Sequence, residues 1–135
     1  MRTLDKLEAE GISPVPQDDS IATFTKALRK EDGKIMWLAS AIDIYIKWRA
    51  YHPWPGIYSY VGDKVVKILD CRVVDETYAT PVGSARFTGN EIFVTTGHQL
   101  LAISVLQVAG KKAQSAAEFS RGYAKLLDLI WGDVE

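Results

Sequence analysis

The side chains of this 135-residue protein that could do chemistry are two histidines, one cysteine, and lysines and arginines spread along the chain. A zinc site needs three or four ligands from Cys, His or a carboxylate. His52 precedes Pro53 and His98 follows Gly97, and neither has a second ligand at a recognised spacing. Cys71 falls in a β-rich run, where a free thiol behaves as a small buried hydrophobe. No histidine is placed to activate it as a nucleophile. Val82-Gly83-Ser84 lacks the x-Gly that completes a nucleophile elbow, and no glycine-rich phosphate loop occurs. The acidic pairs Asp18-Asp19 and Glu31-Asp32 stand at expected helix boundaries, where carboxylates cap free amides. The expectation is therefore no catalytic residue, no metal and no cofactor in this chain.

Basic residues near aromatic ones remain. Lys26, Arg29, Lys30 and Lys34 form one group, Lys47 and Arg49 a second, Lys111 and Lys112 a third, and Arg121 stands alone. The net charge is −1, so any electropositive site must come from how these charges are distributed. Folded onto one surface they would form a track for a phosphate backbone, and binding there would weaken steeply with salt through counterion release.

The elements that must position them follow from hydrophobic periodicity. Residues 1–19 read as a lead-in, with a short helix over Arg2 to Glu10 and breaks at Pro14 and Pro16. Residues 20–135 read as one domain. Ile21, Phe24, Thr25 and Leu28 have the spacing of one buried helical face, capped by Asp19 or Ser20 and stopped by Gly33. A second helix is expected from about Ala39 to Tyr51, apolar around much of its circumference and so packed on more than one side. Pro53 and Pro55 end it. Then the period changes to two. Ile57–Val61 and Lys64–Val74 pair around Gly62-Asp63, a glycine-first hairpin turn. Glu91–Thr96 and Gln99–Leu106 pair around Gly97-His98, and one more short strand is expected near Ser84 to Phe87. A last helix opens at Ser115, which with Glu118 has the spacing of a capping box. Its apolar face is expected to run through Phe119, Tyr123, Leu126, Leu127 and Ile130. Four or five short antiparallel strands imply a small barrel or curled sheet. The single cysteine allows no internal disulfide and suits a reducing compartment. No signal-like N-terminus and no run of roughly 18 apolar residues occurs, so the expected location is cytoplasmic, with no membrane partner.

The segment from Ser40 to Gly56, SAIDIYIKWRAYHPWPG, ends in Arg49-Ala50, two residues, and Pro53-Trp54-Pro55-Gly56. It resembles the stretch joining helix to barrel in the C-terminal domain of methionyl-tRNA formyltransferases. Upstream, Gln17 to Trp37 is similar to that family's Gln-Asp, Ala-Thr, Lys-Glu-Asp-Gly and Ile-x-Trp run. Downstream, Leu106-Gln107, Gly110-Lys111-Lys112, Ser115 to Phe119 and Gly122 are similar to its closing motif. The sequence departs from the pattern at Met36, which stands where the family has Asp between Ile and Trp, at Thr80 to Phe87, and at the apolar Ile42 and Ile46.

The resemblance implies an α+β, mostly β fold: a small open OB-like β-barrel of Greek-key type with two N-terminal helices and a C-terminal helix. It implies a domain that holds the initiator Met-tRNA for formyl transfer during translation initiation, working with a catalytic domain in cis or trans. In the family that catalytic domain binds 10-formyltetrahydrofolate and transfers the one-carbon group. Nucleic-acid binding is carried to Lys30, Arg49, Lys111 and Lys112 by matching motifs, and to Lys26, Lys34 and Arg121 by charge alone. Arg49 has a competing structural reading, an ion pair with Asp43 or Glu31. Trp54 and its flanking prolines are expected to fix the helix-to-strand corner. The alternative is a docking or dimerisation module of a nucleotide-sugar formyltransferase or formyltetrahydrofolate dehydrogenase, with no RNA; a third reading is a free-standing interaction module that homodimerises weakly through the Ile42/Ile46 face.

Overall fold

Buried and exposed residues alternate along Lys64–Val74, so this long run is a strand with one face on a core. The computed structural model describes residues 2–11 and 15–132. Its elements are α1 (Arg2–Glu10), α2 (Ala41–Tyr51), β1 (Ile57–Val61), β2 (Lys64–Val74), β3 (Ala85–Thr88), β4 (Glu91–Thr95), β5 (Leu100–Val108), β6 (Gln114–Ser115), α3 (Ala116–Gly122) and α4 (Ala124–Leu127). The strands form one antiparallel sheet in the order β1-β2-β5-β4-β3, with β6 pairing β5. β3, β4 and β5 follow one another as a meander, and β2 returns to lie beside β5. That order is a Greek key.

The two hairpins fall where the sequence places them. Gly62, with φ at +58°, turns β1 into β2, and Thr95 pairs with Leu100 across the second turn. Register shifts between Ile68 and Cys71 bend β2, as a bulge does when it curls a sheet. The sheet would still have two open edges, β1 and β3. Ile130 and Trp131 bridge them. Trp131 pairs with Val61 at the end of β1, and Ile130 pairs with Ser84 just before β3. The Trp131 amide donates to the Gly83 carbonyl at 2.8 Å, and the Gly132 amide donates to the Tyr60 carbonyl at 2.9 Å. A two-residue strap thus closes the curled sheet around a core that includes Val66, Ile68, Val94, Ile103, Leu106, Phe119 and Trp131.

Three expectations are corrected. No helix forms over 20–33. Two short 3₁₀ turns, Asp19–Ile21 and Lys30–Gly33, bracket a segment without regular structure that is extended at Ala22 and Arg29. Asp18 accepts from the Ser20 amide at 2.9 Å and Asp32 from the Arg29 amide at 2.6 Å, local bonds that compete with a helix. Ile21 and Phe24 are 77% and 94% exposed. The helical spacing is present, but this domain offers no surface to bury it, and a helix of that length without packing is marginal. Second, α2 packs on one side only: Ala41 and Ile44 are buried, while Ile42 and Ile46 face outward. Third, the last helix breaks at Tyr123, where φ is −134°. Ile130 leaves the helical stripe to enter the strap and is exposed.

The expected cap at Ser115 is in place, and Ser40 supplies a further one. Ser40 accepts from the Asp43 amide at 3.1 Å to start α2, and Ser115 and Glu118 form the reciprocal capping box of α3. In the lead-in, α1 is formed and Pro16 lies in chain without regular structure; Pro14 lies outside the described residues. No helix among the described residues is long and apolar enough to cross a membrane.

Candidate nucleic-acid interface

A row of side chains crosses the outer face of β1, β2 and β5. Lys34 bridges Tyr58 in parallel pairing, Tyr58 pairs with Lys67, and Lys67 pairs with Gln107. Residues in register point to the same face, so these four stand side by side. Three interstrand steps of about 4.8 Å place Lys34 and Gln107 roughly 14 Å apart along the row. The Lys34 ammonium lies 5.6 Å from the Tyr60 ring centroid, and Tyr60 meets Tyr58 edge-on at 5.9 Å.

The row is extended at both ends. Beside Lys34, the Lys47 ammonium donates to the Lys34 carbonyl at 2.6 Å and lies 5.6 Å from the Tyr51 ring. Partial burial pulls the Lys47 pKa down, and Asp32 opposes that shift. Beyond Gln107, its Nε2 donates to the Lys111 carbonyl at 2.7 Å, which fixes the turn carrying Lys111 and Lys112. Both of these lysines are exposed. Lys111 shares a groove with Lys64, Val108 and Tyr123. Lys64 is partly neutralised by Asp63 at 3.3 Å.

The expected site residues divide. Lys34 and Lys111 belong to this row or its end, with Lys112 next to Lys111. Lys30 lies in the 3₁₀ turn four residues before Lys34. Arg49 is exposed on α2, where it lines a shallow cleft with Tyr45, Trp48 and His52. Neither Asp43 nor Glu31 pairs with Arg49 among the described residues. The Asp43 carboxylate instead accepts from the Ser40 hydroxyl at 2.6 Å. Arg121 is exposed at the end of α3, where its charge helps hold the Glu118 carboxyl below its ordinary range, after the stronger effect of the Ser115 hydrogen bonds. Lys26 lies in the segment without regular structure ahead of Lys30. No contact between either of these two and the row is seen among the described residues.

Sequence reasoning missed Lys67 and Lys64. Lys67 stands between the buried Val66 and Ile68, and that period-two position marks it as outward-facing. Its place beside Tyr58 and Gln107 depends on register across three strands, which local patterning does not reveal. Trp54 is 61% exposed, between two cis peptide bonds at His52–Pro53 and Trp54–Pro55.

No three His, Cys, Asp or Glu side chains come together as metal ligands among the described residues. Cys71 is buried. Desolvation first, then the Asp70 charge, push its thiol from an ordinary 9.0 up to about 12. The folded state therefore holds the proton over a range in which the unfolded chain loses it. Stability is expected to fall as pH rises from about 9 toward 12. Iodoacetamide labelling at pH 8.5 is expected to proceed only at the rate of unfolding, and rapid labelling of the native protein would contradict the burial.

Comparison with known proteins agrees with this architecture. A sequence model of the family described as "Formyl transferase, C-terminal domain" matches residues 27–124. A methionyl-tRNA formyltransferase of Roseiflexus sp. (strain RS-1) is 40% identical over 123 residues, covering 90% of this chain and 38% of that protein. One from Rickettsia bellii (strain RML369-C) is 37% identical over 112 residues, covering 83% and 36%. The chain thus spans less than two fifths of the length of these two relatives. Among solved structures, HypX from Aquifex aeolicus superposes with a TM-score of 0.63 at 16% identity, covering 92% of this chain and 22% of that one, a likeness of fold. With the family pattern spanning most of the barrel and both of its flanking helical elements, this chain belongs to the formyl transferase C-terminal domain family.

Proposed function

We propose that this domain binds initiator Met-tRNA and positions it for N-formylation by a formyltransferase catalytic domain, in cis or in trans, in the cytoplasm. The observation that carries the reading is the row Lys34–Tyr58–Lys67–Gln107 with Lys111 at its end, which lines up lysines across one sheet face over a buried Tyr58 and beside the exposed Tyr60 ring. Ammonium groups spaced along a ridge suit a phosphate backbone, and the exposed Tyr60 ring beside Lys34 suits sugar or base contact. The names of the curated relatives favour tRNA as the nucleic acid. In this division of labour the chain contributes affinity and orientation, and 10-formyltetrahydrofolate binds the catalytic domain.

Titration of labelled initiator tRNA tests it. Affinity is expected to fall several-fold between low and moderate salt. The double variant Lys111→Ala with Lys112→Ala is expected to bind more weakly and to show a shallower salt dependence, by about one to two units of slope. Equal binding by the variant would remove Lys111 and Lys112 from the interface. No binding at low salt would sink the reading.

A second reading is supported by one feature. Ile42 and Ile46, one helical turn apart on α2, are 46% and 56% exposed. A docking or dimerising module would use this face. Sedimentation at rising protein concentration separates the two, since a mass that stays monomeric removes the dimer.

A further inference from the structure

A cleft of about 280 Å³ opens between the end of α2 and the outer face of β2 and β5, lined by Trp48, His52, Pro53, Lys67 and Gln107 among others. We propose that it is a subsite for one unstacked nucleotide of the bound RNA, the base lying against Trp48 and His52 and the phosphate turned toward Lys67. This rests on the RNA reading of the same face and adds a local recognition element to it.

Size decides the class of occupant. Pockets for drug-sized ligands run from roughly 300 to 1,000 Å³, so this cleft is matched to a single base and not to a dinucleotide. The walls are pre-set. The Trp48 indole donates to the Leu69 carbonyl at 3.3 Å, a carbonyl at the β2 register shift. Tyr45 stacks on Trp48 at 5.4 Å with 29° between planes. The His52 ring stands 6.3 Å from Trp48. An aromatic surface held in place stacks a base with little loss of side-chain entropy, and it accepts any base because each has a π-face.

The polar groups set the direction. Gln107 uses Nε2 on Lys111, which leaves Oε1 to accept from a ring N–H or an amino group of a base. The last carbonyls of α2 give its C-terminal end a partial negative charge, so an anion is disfavoured there and favoured on the opposite wall. That wall carries Lys67, which makes no ion pair among the described residues. Base toward the helix and phosphate toward the strand is the orientation that satisfies both. A base inside a duplex is stacked on both faces and cannot enter, so the occupant is a bulged, looped or terminal nucleotide.

The test uses two RNA hairpins that differ only in one bulged adenosine. Each is titrated against the 135-residue chain and against its His52→Ala and Lys67→Met variants, with adenosine 5′-monophosphate as a free-ligand arm. The bulged hairpin is expected to bind about fivefold or more tightly than the paired one. That ratio is expected to fall toward one in both variants, with melting temperatures confirming that they fold. A wild-type ratio near one, with both hairpins binding in a salt-sensitive way, overturns the subsite and leaves the RNA reading standing. A ratio that persists in both variants overturns it as well. If neither hairpin binds, the RNA reading fails and the monophosphate decides. Amide and indole NMR shifts at Gln107 and Trp48 that vanish in His52→Ala support a nucleotide cleft, and no shifts at millimolar ligand overturn it.

Discussion

Replacing Trp131 by alanine is expected to destabilise the domain by about 3–5 kcal/mol, a large part of the stability of a domain this size. The side chain is 1% exposed. Its ring meets Trp37 edge-on at 6.2 Å and Phe119 at 6.2 Å, and its Nε1 donates to the Leu126 carbonyl at 3.1 Å. Alanine would remove both ring contacts, open a cavity and leave a buried carbonyl without its donor. The position also matters for topology. Trp131 and Ile130 are the residues that join β1 to the approach to β3, so loosening the ring frees the strap and parts the sheet edges. Urea unfolding measures the cost directly. Ile130→Ala keeps the backbone bridge and trims an exposed side chain, so about 1 kcal/mol or less is expected. If Trp131→Ala unfolds at the wild-type urea midpoint, the strap does not hold the barrel closed.

Gly97→Ala is the second large effect, with about 2–3 kcal/mol of destabilisation expected. The turn between β4 and β5 is pressed against the segment leading into α2. The Gly97 amide is shared by the Trp37 carbonyl at 2.9 Å and the Ala39 carbonyl at 3.0 Å. A β-carbon at this position would run into the Leu38 carbonyl oxygen, so the backbone on one side must retreat. The neighbouring His98 carbonyl accepts the Ala41 amide at 3.0 Å. Retreat would therefore also loosen the first turn of α2, the helix that carries Trp48 and Arg49. Gly122→Ala is the control. Nothing lies within 4 Å of a β-carbon there, and alanine at the end of α3 is expected to be neutral or to stabilise by a few tenths of a kcal/mol. Equal melting temperatures for Gly97→Ala and Gly122→Ala would show that the close approach can relax freely.

Much of this was written locally. β-rich runs bounded by turn residues fixed β1, β2, β4 and β5, although β1 and the first half of β5 are buried almost throughout and do not alternate. Gly62-Asp63 fixed the first hairpin, and Ser115 fixed one helix start through a side-chain oxygen that reaches only the next few amides. These are short-range constraints, and a sequence states them directly. The same reasoning failed over 20–33. Ile21, Phe24 and Leu28 carry the helical period, yet a period says only which residues could share a face. Whether a face is buried depends on a partner surface, and among the described residues Ile21, Phe24 and Leu28 stay exposed.

The candidate interface divides in the same way. Lys111 and Lys112 were legible because a glycine turn and two adjacent charges need no tertiary information. Lys67 was not. A lysine in a strand is an ordinary solvated residue until pairing places it between Tyr58 and Gln107. Arg121 and Lys26 show the converse, being basic in sequence without a contact to the row among the described residues. By itself, then, the sequence determined five of the strands, the two hairpin turns, the Ser115 cap and the family. The tertiary structure decided the closure of the barrel by Trp131 and the alignment of charges across β1, β2 and β5. Both depend on register between segments far apart in the chain, set by how the whole core packs and not by any local run of residues.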